Sequence, residues 1–370
     1  MKRLSIILVL LFLGGLLPSA VRAQGSLGNL LVPIGGGNAS VFGGFAALAG
    51  ANPKDNVVNI LVLPIAAALN PYDQTDGERD DSFVIAEARR AQIEEACRRS
   101  VTSDLNCVAS LAPIFTHSDA ENPANLLYFT TNLSAIFILD GDPVTAMQVI
   151  GGTPVEKALS DAYERGVLVS GTGAGGGLLS TALLGGYRPE YSAANALSFG
   201  AADVWNSPSR HGLGFGTTQA ILATNFYQRN QVGLLLNAIS LPGVPHIGIG
   251  IDDATGVRIT NHEILEYVFG AYGVTILDAE TYHSAQGVQY RGPENLLSLR
   301  NVLIHLLAPG NFSYNLIVHQ HSLAAPPSPL QRSYIGLDLP TGAGPLLLAG
   351  DLSSSLASIS PQAPNPVLAR

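Results

Sequence analysis

Residues 167–180 read VLVSGTGAGGGLLS. Apolar residues lead into a run of small ones and then into a short apolar stretch. This is the outline of a strand, a sharp corner and a helix start. At such a corner a nucleophile can sit on strained backbone, with small neighbours keeping the approach clear and helix-start N–H groups turned toward a substrate oxyanion. Here the corner carries Gly173, which has no side chain to attack with. The glycines at 175, 176 and 177 weaken the first helical turn further, each by about 0.5–1 kcal/mol relative to Ala. Either of two causes accounts for so costly a start: an anion or carbonyl lying against the N–H groups, or a close approach of two elements that only glycine permits. Ser170 and Thr172 flank the corner and are the hydroxyls available as displaced nucleophiles. His211 and His246 are the nearest candidate bases in the sequence.

Residues 171–176 approximate GxGxxG, but no acidic residue follows at the ribose-binding distance and no Walker lysine is present, so neither a dinucleotide nor a nucleoside triphosphate is expected. No cofactor is expected. Asp140, Asp142 and the pair Asp252–Asp253 form either an acidic pocket for a cation or ordinary turn caps. Asp73, Asp76, Glu78, Asp80 and Asp81 lie in a polar stretch, 71–82, whose spacing does not fit an EF-hand; it reads as a solvated loop, with a loose Ca²⁺ site as the alternative. His319 and His321 would share one side of a strand, but a zinc site needs a third ligand that the sequence does not place. Cys97 and Cys107 are the only cysteines, and their spacing allows a disulfide in an oxidising compartment.

The elements that must position these residues alternate. Apolar runs at 29–34, 57–64, 108–115, 135–139 and 167–170 read as buried strands, and 83–99 and 153–165 as helices, the second opened by Thr153, Pro154 and Glu156. Apolar strands without strict alternation, separated by helices, predict a three-layer α/β fold with a mostly parallel central sheet. In such folds ligands sit beyond the carboxyl ends of the strands. Segments 35–37, 140–143 and 171–177 fall there. Residues 246–251 and 256–259 read as a strand pair around Asp252–Asp253.

The chain opens with Lys2 and Arg3, an apolar run from Leu4 to Leu17, and the small residues Val21 and Ala23 around Arg22. Residues 1–23 read as a cleaved signal peptide, with an uncleaved anchor as the alternative. Export to a periplasmic, cell-envelope or extracellular location is therefore expected. Beyond it no run reaches 18 apolar residues, so no stable membrane span is expected after cleavage. Cleavage would reduce the 19 basic residues to 16 against 28 acidic ones, a net charge of −12, which argues against nucleic acid as a partner. Residues 24–323 read as the α/β domain. Residues 324–370, with eight prolines, read as a C-terminal extension.

Five segments, in order, resemble the cyanophycinase branch of the serine peptidase family that also contains alpha-aspartyl dipeptidase: LVPIGGG at 31–37, IFILDGDP at 136–143, GTGAGG at 171–176, ATNFYQRNQVGLL at 223–235 and GIGIDDATGVRI at 248–259. The resemblance implies a class I glutamine amidotransferase-like fold and, by carry-over, a homodimer. It places the family's nucleophilic serine on Gly173, its histidine on Asn225, its substrate-side glutamine on Pro143 and its last glutamate on Asp253. The first glycine of the family's Gly-Gly-Asp-Gln turn becomes Asp140. It implies a ligand site around Gly36, Gly37, Asp142, Gly171, Ala174, Gly175, Arg229 and Asp252. Glycine cannot attack and asparagine is no base near neutral pH. The expectation is a degenerate homologue that binds a peptide-like or small anionic ligand. An active serine-type peptidase using displaced residues and a structural envelope protein are the alternatives.

Overall fold

The structure is a computed structural model and describes residues 29–37, 39–279, 289–291, 295–299 and 302–323. The expected signal peptide and the proline-rich extension lie outside the described residues. Buried apolar runs make the first layer. Strands β1 (Leu30–Ile34), β2 (Val57–Leu63), β3 (Asn106–Leu111), β4 (Ala135–Ile138) and β5 (Leu168–Thr172) pair in parallel in the order β1-β5-β4-β2-β3. Every residue of β1, β4 and β5 is buried, as a sheet covered on both faces requires. In β2, Val58, Ile60 and Val62 join one apolar cluster with helices α1 (Ala39–Ala49) and α2 (Asp76–Ser100). Leu61 and Leu63 join the other, under α4 (Pro143–Ile150) and α5 (Pro154–Glu164), which follow the short α3 (His117–Glu121).

Helix α2 begins earlier than its apolar periodicity indicates. Thr75 caps it: its hydroxyl accepts from Glu78 N–H at 3.3 Å, and the Glu78 carboxylate accepts from Thr75 N–H at 2.9 Å. The acids read as a loop at 76–81 therefore occupy the first turns, where the helix dipole favours negative charge. That end faces solvent and offers no apolar stripe, which is why periodicity alone missed it. Further along, Cys97 bonds Cys107 with a Cα–Cα distance of 6.0 Å, tying α2 to β3. Reduction is expected to lower stability by about 2–3 kcal/mol, read as a shift of the thermal midpoint that a Cys97→Ala/Cys107→Ala variant reproduces without reductant.

Helix α5 starts as its caps predict, with Thr153 accepting from Glu156 N–H and Pro154 at the first position. Strand β5 then turns into a single helical turn, α6 (Ala174–Gly177), followed by the hairpin of β6 (Leu183–Tyr187) and β7 (Ala202–Trp205). The next units build a second, four-stranded sheet. Strand β8 (Ile221–Thr224) runs parallel to β9 (Ile247–Ile251), with α7 (Val232–Ile239) between them.

After β9 the chain leaves that sheet. Asp252, Asp253 and Ala254 carry it across to β10 (Thr255–Thr260), which pairs antiparallel with β1. The expected strand pair around Asp252–Asp253 is thus two strands of different sheets. Strand β11 (Ile264–Gly270) continues the large sheet beside β10. Strand β12 (Val274–Asp278) returns to pair with β9, and beyond the small hairpin of β13 (Gln289–Arg291) and β14 (Leu297–Leu299) the strand β15 (Leu303–Leu307) pairs with β12. Finally β16 (Gly310–Asn315) and β17 (Gln320–Leu323) extend the large sheet beside β11. Among the described residues the central sheet therefore has nine strands: the expected parallel block, widened by an antiparallel one.

Candidate functional site

The site lies where β1, β5, β8 and β9 end at their carboxyl termini. Gly35 follows β1 and donates its N–H to Thr255 O at 2.9 Å. A Cβ on Gly35 would stand 1.9 Å from Asp252 O, so only glycine lets the turn press against the crossing between the sheets. Gly36 comes next. A Cβ there would meet Asp253 Oδ1 at 1.7 Å and Asn225 Oδ1 at 2.6 Å. Two side-chain oxygens thus converge on Gly36. Asn225 follows β8 with a φ of +52°, a conformation asparagine tolerates better than most residues. It is buried, and its Nδ2 has no hydrogen-bond partner. Thr172 is buried too; its Oγ1 has no partner and stands 3.0 Å from where a Gly37 Cβ would be.

Gly173 is the corner itself, with φ +53° and ψ −121°. Its N–H donates to Ile34 O at 2.9 Å. The space a side chain would need is filled. A Cβ at 173 would stand 1.9 Å from Asp140 Oδ1 and 2.1 Å from its carboxyl carbon. Asp140 Oδ1 accepts from Ala174 N–H at 2.8 Å and from Gly141 N–H at 2.8 Å. The protein's own carboxylate thus takes the first free N–H of α6, the group that would face an oxyanion. The Asp140 carboxylate occupies the space that a side chain at 173 would need.

The other glycines of the corner serve close packing. A Cβ on Gly171 would stand 2.3 Å from the backbone of Gly175; one on Gly175, 2.5 Å from Ile138 O; one on Gly176, 2.7 Å from Ile34 O. They let α6 lie directly on β1, β4 and β5. Gly177 has nothing within 4 Å.

The remaining sequence candidates are placed as follows. Ser170 has no exposure, and its hydroxyl donates to Val32 O at 2.7 Å, so it is held inside the sheet and faces no ligand. Asp142 caps α4, accepting from Thr145 N–H at 2.6 Å, and Pro143 is the first residue of that helix. Arg229 is exposed. His211 Nδ1 lies 2.6 Å from Gly212 O. His246 precedes β9, at the opposite end of that strand from Asp252, so its imidazole does not stand at the corner. Among the described residues no group of three or more His, Cys, Asp or Glu is arranged to hold a metal ion.

Asp252 is buried, and its carboxylate accepts from Tyr227 N–H at 3.4 Å. Burial pushes its carboxyl above the ordinary range, and the N–H groups of Tyr227 and Gly273 oppose this. An acid whose folded pKa is raised costs stability once it ionises, so folding weakens as pH rises through that range. Asp252→Asn is expected to raise the urea midpoint at pH 7, with the gain disappearing as pH falls below about 4, where the unfolded carboxyl is itself protonated.

Two features were not read from the sequence: Asp140 as the filler of the corner, and Gln228, whose Oε1 accepts from Asp253 N–H at 2.9 Å and fixes the crossing. The first had a signal. An acid, Asp140, follows the strand segment beside the corner, and the corner residue Gly173 has no side chain.

No protein-family model and no curated protein matches the chain. Among solved structures, it is similar to a peptidase from an acI-B1 Actinobacterium, with a TM-score of 0.52 and 18% identity over 79% of this chain and 98% of that one. A peptidase E-type protein from Listeria monocytogenes EGD-e aligns with a TM-score of 0.38 and 13% identity, over 65% of this chain and 97% of that one. The fold is therefore that of a three-layer α/β protein of the class I glutamine amidotransferase-like kind, shared with a peptidase.

Proposed function

We propose that this chain is an exported, non-hydrolytic binding protein built on a peptidase fold, with a peptide-like ligand held beside Gly36. One observation carries the reading: the Asp140 carboxylate fills the space of a nucleophile side chain at Gly173 and takes the Ala174 N–H. A serine-type mechanism needs a nucleophile, a base within hydrogen-bond reach and oxyanion donors. The corner supplies no nucleophile, Asn225 supplies no base, and one donor is already satisfied from within. The side-chain oxygens of Asn225 and Asp253 beside Gly36 are acceptors. They favour a ligand that presents N–H groups, such as a peptide backbone or an amine, over a small anion. The disulfide and the leader-like residues 1–23 support export.

The test offers purified protein a library of aspartyl and isoaspartyl peptides. Mass spectrometry reads products and calorimetry reads binding. No turnover is expected, together with heat of binding that Asp253→Ala weakens by about tenfold, the size of one lost charge-assisted hydrogen bond. Turnover that disappears in Thr172→Ala would instead establish a displaced nucleophile, the one hydroxyl at the corner without a hydrogen-bond partner.

A further inference from the structure

The two sheets meet at a cluster of imidazoles far from the corner. His305 lies on β15, in the four-stranded sheet, and His321 on β17, at the edge of the nine-stranded one. His305 Nδ1 and His321 Nε2 are 2.6 Å apart, with ring centroids at 4.6 Å. Tyr314, on β16, packs against both rings at 4.7 and 5.3 Å. Its hydroxyl donates to Asp278 Oδ2, on β12, at 2.6 Å, and His319 Nδ1 approaches the same oxygen at 2.8 Å from the turn between β16 and β17. Asp278 has no exposure. The His305–His321, His305–Tyr314, Tyr314–Asp278 and His319–Asp278 contacts each join the β16–β17 hairpin to the smaller sheet.

The space between the two imidazoles holds one proton. When the rings are neutral, one nitrogen donates and the other accepts. When both are charged, two N–H groups of like charge face each other and the contact breaks. The outer nitrogen of His305 offers no relief: Nε2 is buried and has no hydrogen-bond partner, so a proton there is a buried, unsatisfied donor. Among the described residues, the titratable groups facing His305 are His321, Tyr314, Asp278 and His319. Burial, then His321 and more weakly His319, hold the His305 imidazole below its ordinary range, and Asp278 opposes them.

We infer that His305 and His321 form an acid-opened clasp, which holds the β16–β17 hairpin against the four-stranded sheet while neutral and releases it when both rings are protonated. The hairpin also carries Leu316, Ile317 and His319, which line a cavity of about 530 Å³ at the amino ends of β8 and β9, opposite the candidate site. Opening the clasp therefore moves one wall of that cavity. The sign follows from linkage. A histidine with a depressed folded pKa binds its proton more weakly when folded. Its contribution is present above about pH 6.5 and is lost as pH falls below that value.

Hydrogen exchange of the full chain at pH 7.5 and pH 5.0, read by mass spectrometry and corrected for intrinsic rates, tests this. Protection over residues 310–323 is expected to fall about tenfold at pH 5.0, while β4 and β5 keep theirs. In His305→Gln the fall is expected to shrink below about twofold. Unchanged protection in the natural protein, or an undiminished fall in the variant, overturns the clasp. Should the variant not fold, the imidazole resonances of the natural protein decide. Two coupled titration steps for His305 and His321 support the clasp; two independent single-site curves refute it.

Discussion

Gly173→Ser is expected to produce a less stable protein with no new activity. The serine Cβ would stand 1.9 Å from Asp140 Oδ1. Either the carboxylate leaves the two N–H groups it accepts from, or the corner shifts off β1. Overpacking of this kind costs about 1–3 kcal/mol, and a residue other than glycine at a φ of +53° adds roughly 1–2 kcal/mol. The first consequence is a double-mutant cycle. In the Asp140→Gly background the same serine substitution is expected to cost at least about 1 kcal/mol less, because the space is vacated. Urea denaturation of the four proteins measures it, and strict additivity would sink the account of the filled corner. The second consequence concerns chemistry. Hydrolysis of aspartyl peptides is expected only from the triple variant Asp140→Gly/Gly173→Ser/Asn225→His, which supplies nucleophile and base and frees the Ala174 N–H together. Activity in Gly173→Ser/Asn225→His with Asp140 in place would show that the carboxylate does not block the corner.

Gly171→Ala and Gly177→Ala are expected to differ in sign, although both replace a glycine of the same run. The methyl at 171 would enter the backbone of Gly175 at 2.3 Å, where neither strand nor helix can give way. A loss of about 3 kcal/mol is expected, with a correspondingly lower thermal midpoint. The methyl at 177 meets nothing within 4 Å. There the usual advantage of alanine in a helix applies, and a gain of about 0.5 kcal/mol is expected. Equal losses at both positions would show that the run is needed for backbone freedom throughout. The expected contrast separates the two explanations of the glycine run, since close approach is position-specific in a way that ligand access to the helix start is not.

The sequence by itself determined the parallel half of the fold. The apolar runs ending at Ile34, Leu63 and Ile138 admit few other placements, because a strand with no polar face must be covered on both sides. Thr153 and Pro154 fixed the start of α5 because capping is chemistry between near neighbours in the chain. Sequence also showed that the corner lacks a nucleophile, since that is a matter of residue type alone. It could not show what fills the space beside Gly173. Asp140 and Gly173 follow different strands, and the contact between their atoms exists only once β4 and β5 stand side by side. The start of α2 at Asp76 was hidden because its first turns face water and carry no apolar period. The parting of β9 and β10 into separate sheets was hidden because strand partners are chosen by packing across the whole molecule, which local pattern does not encode. The facing of His305 and His321 is of the same kind: two edge strands from two sheets, sixteen residues apart in the chain, are brought together by tertiary structure alone.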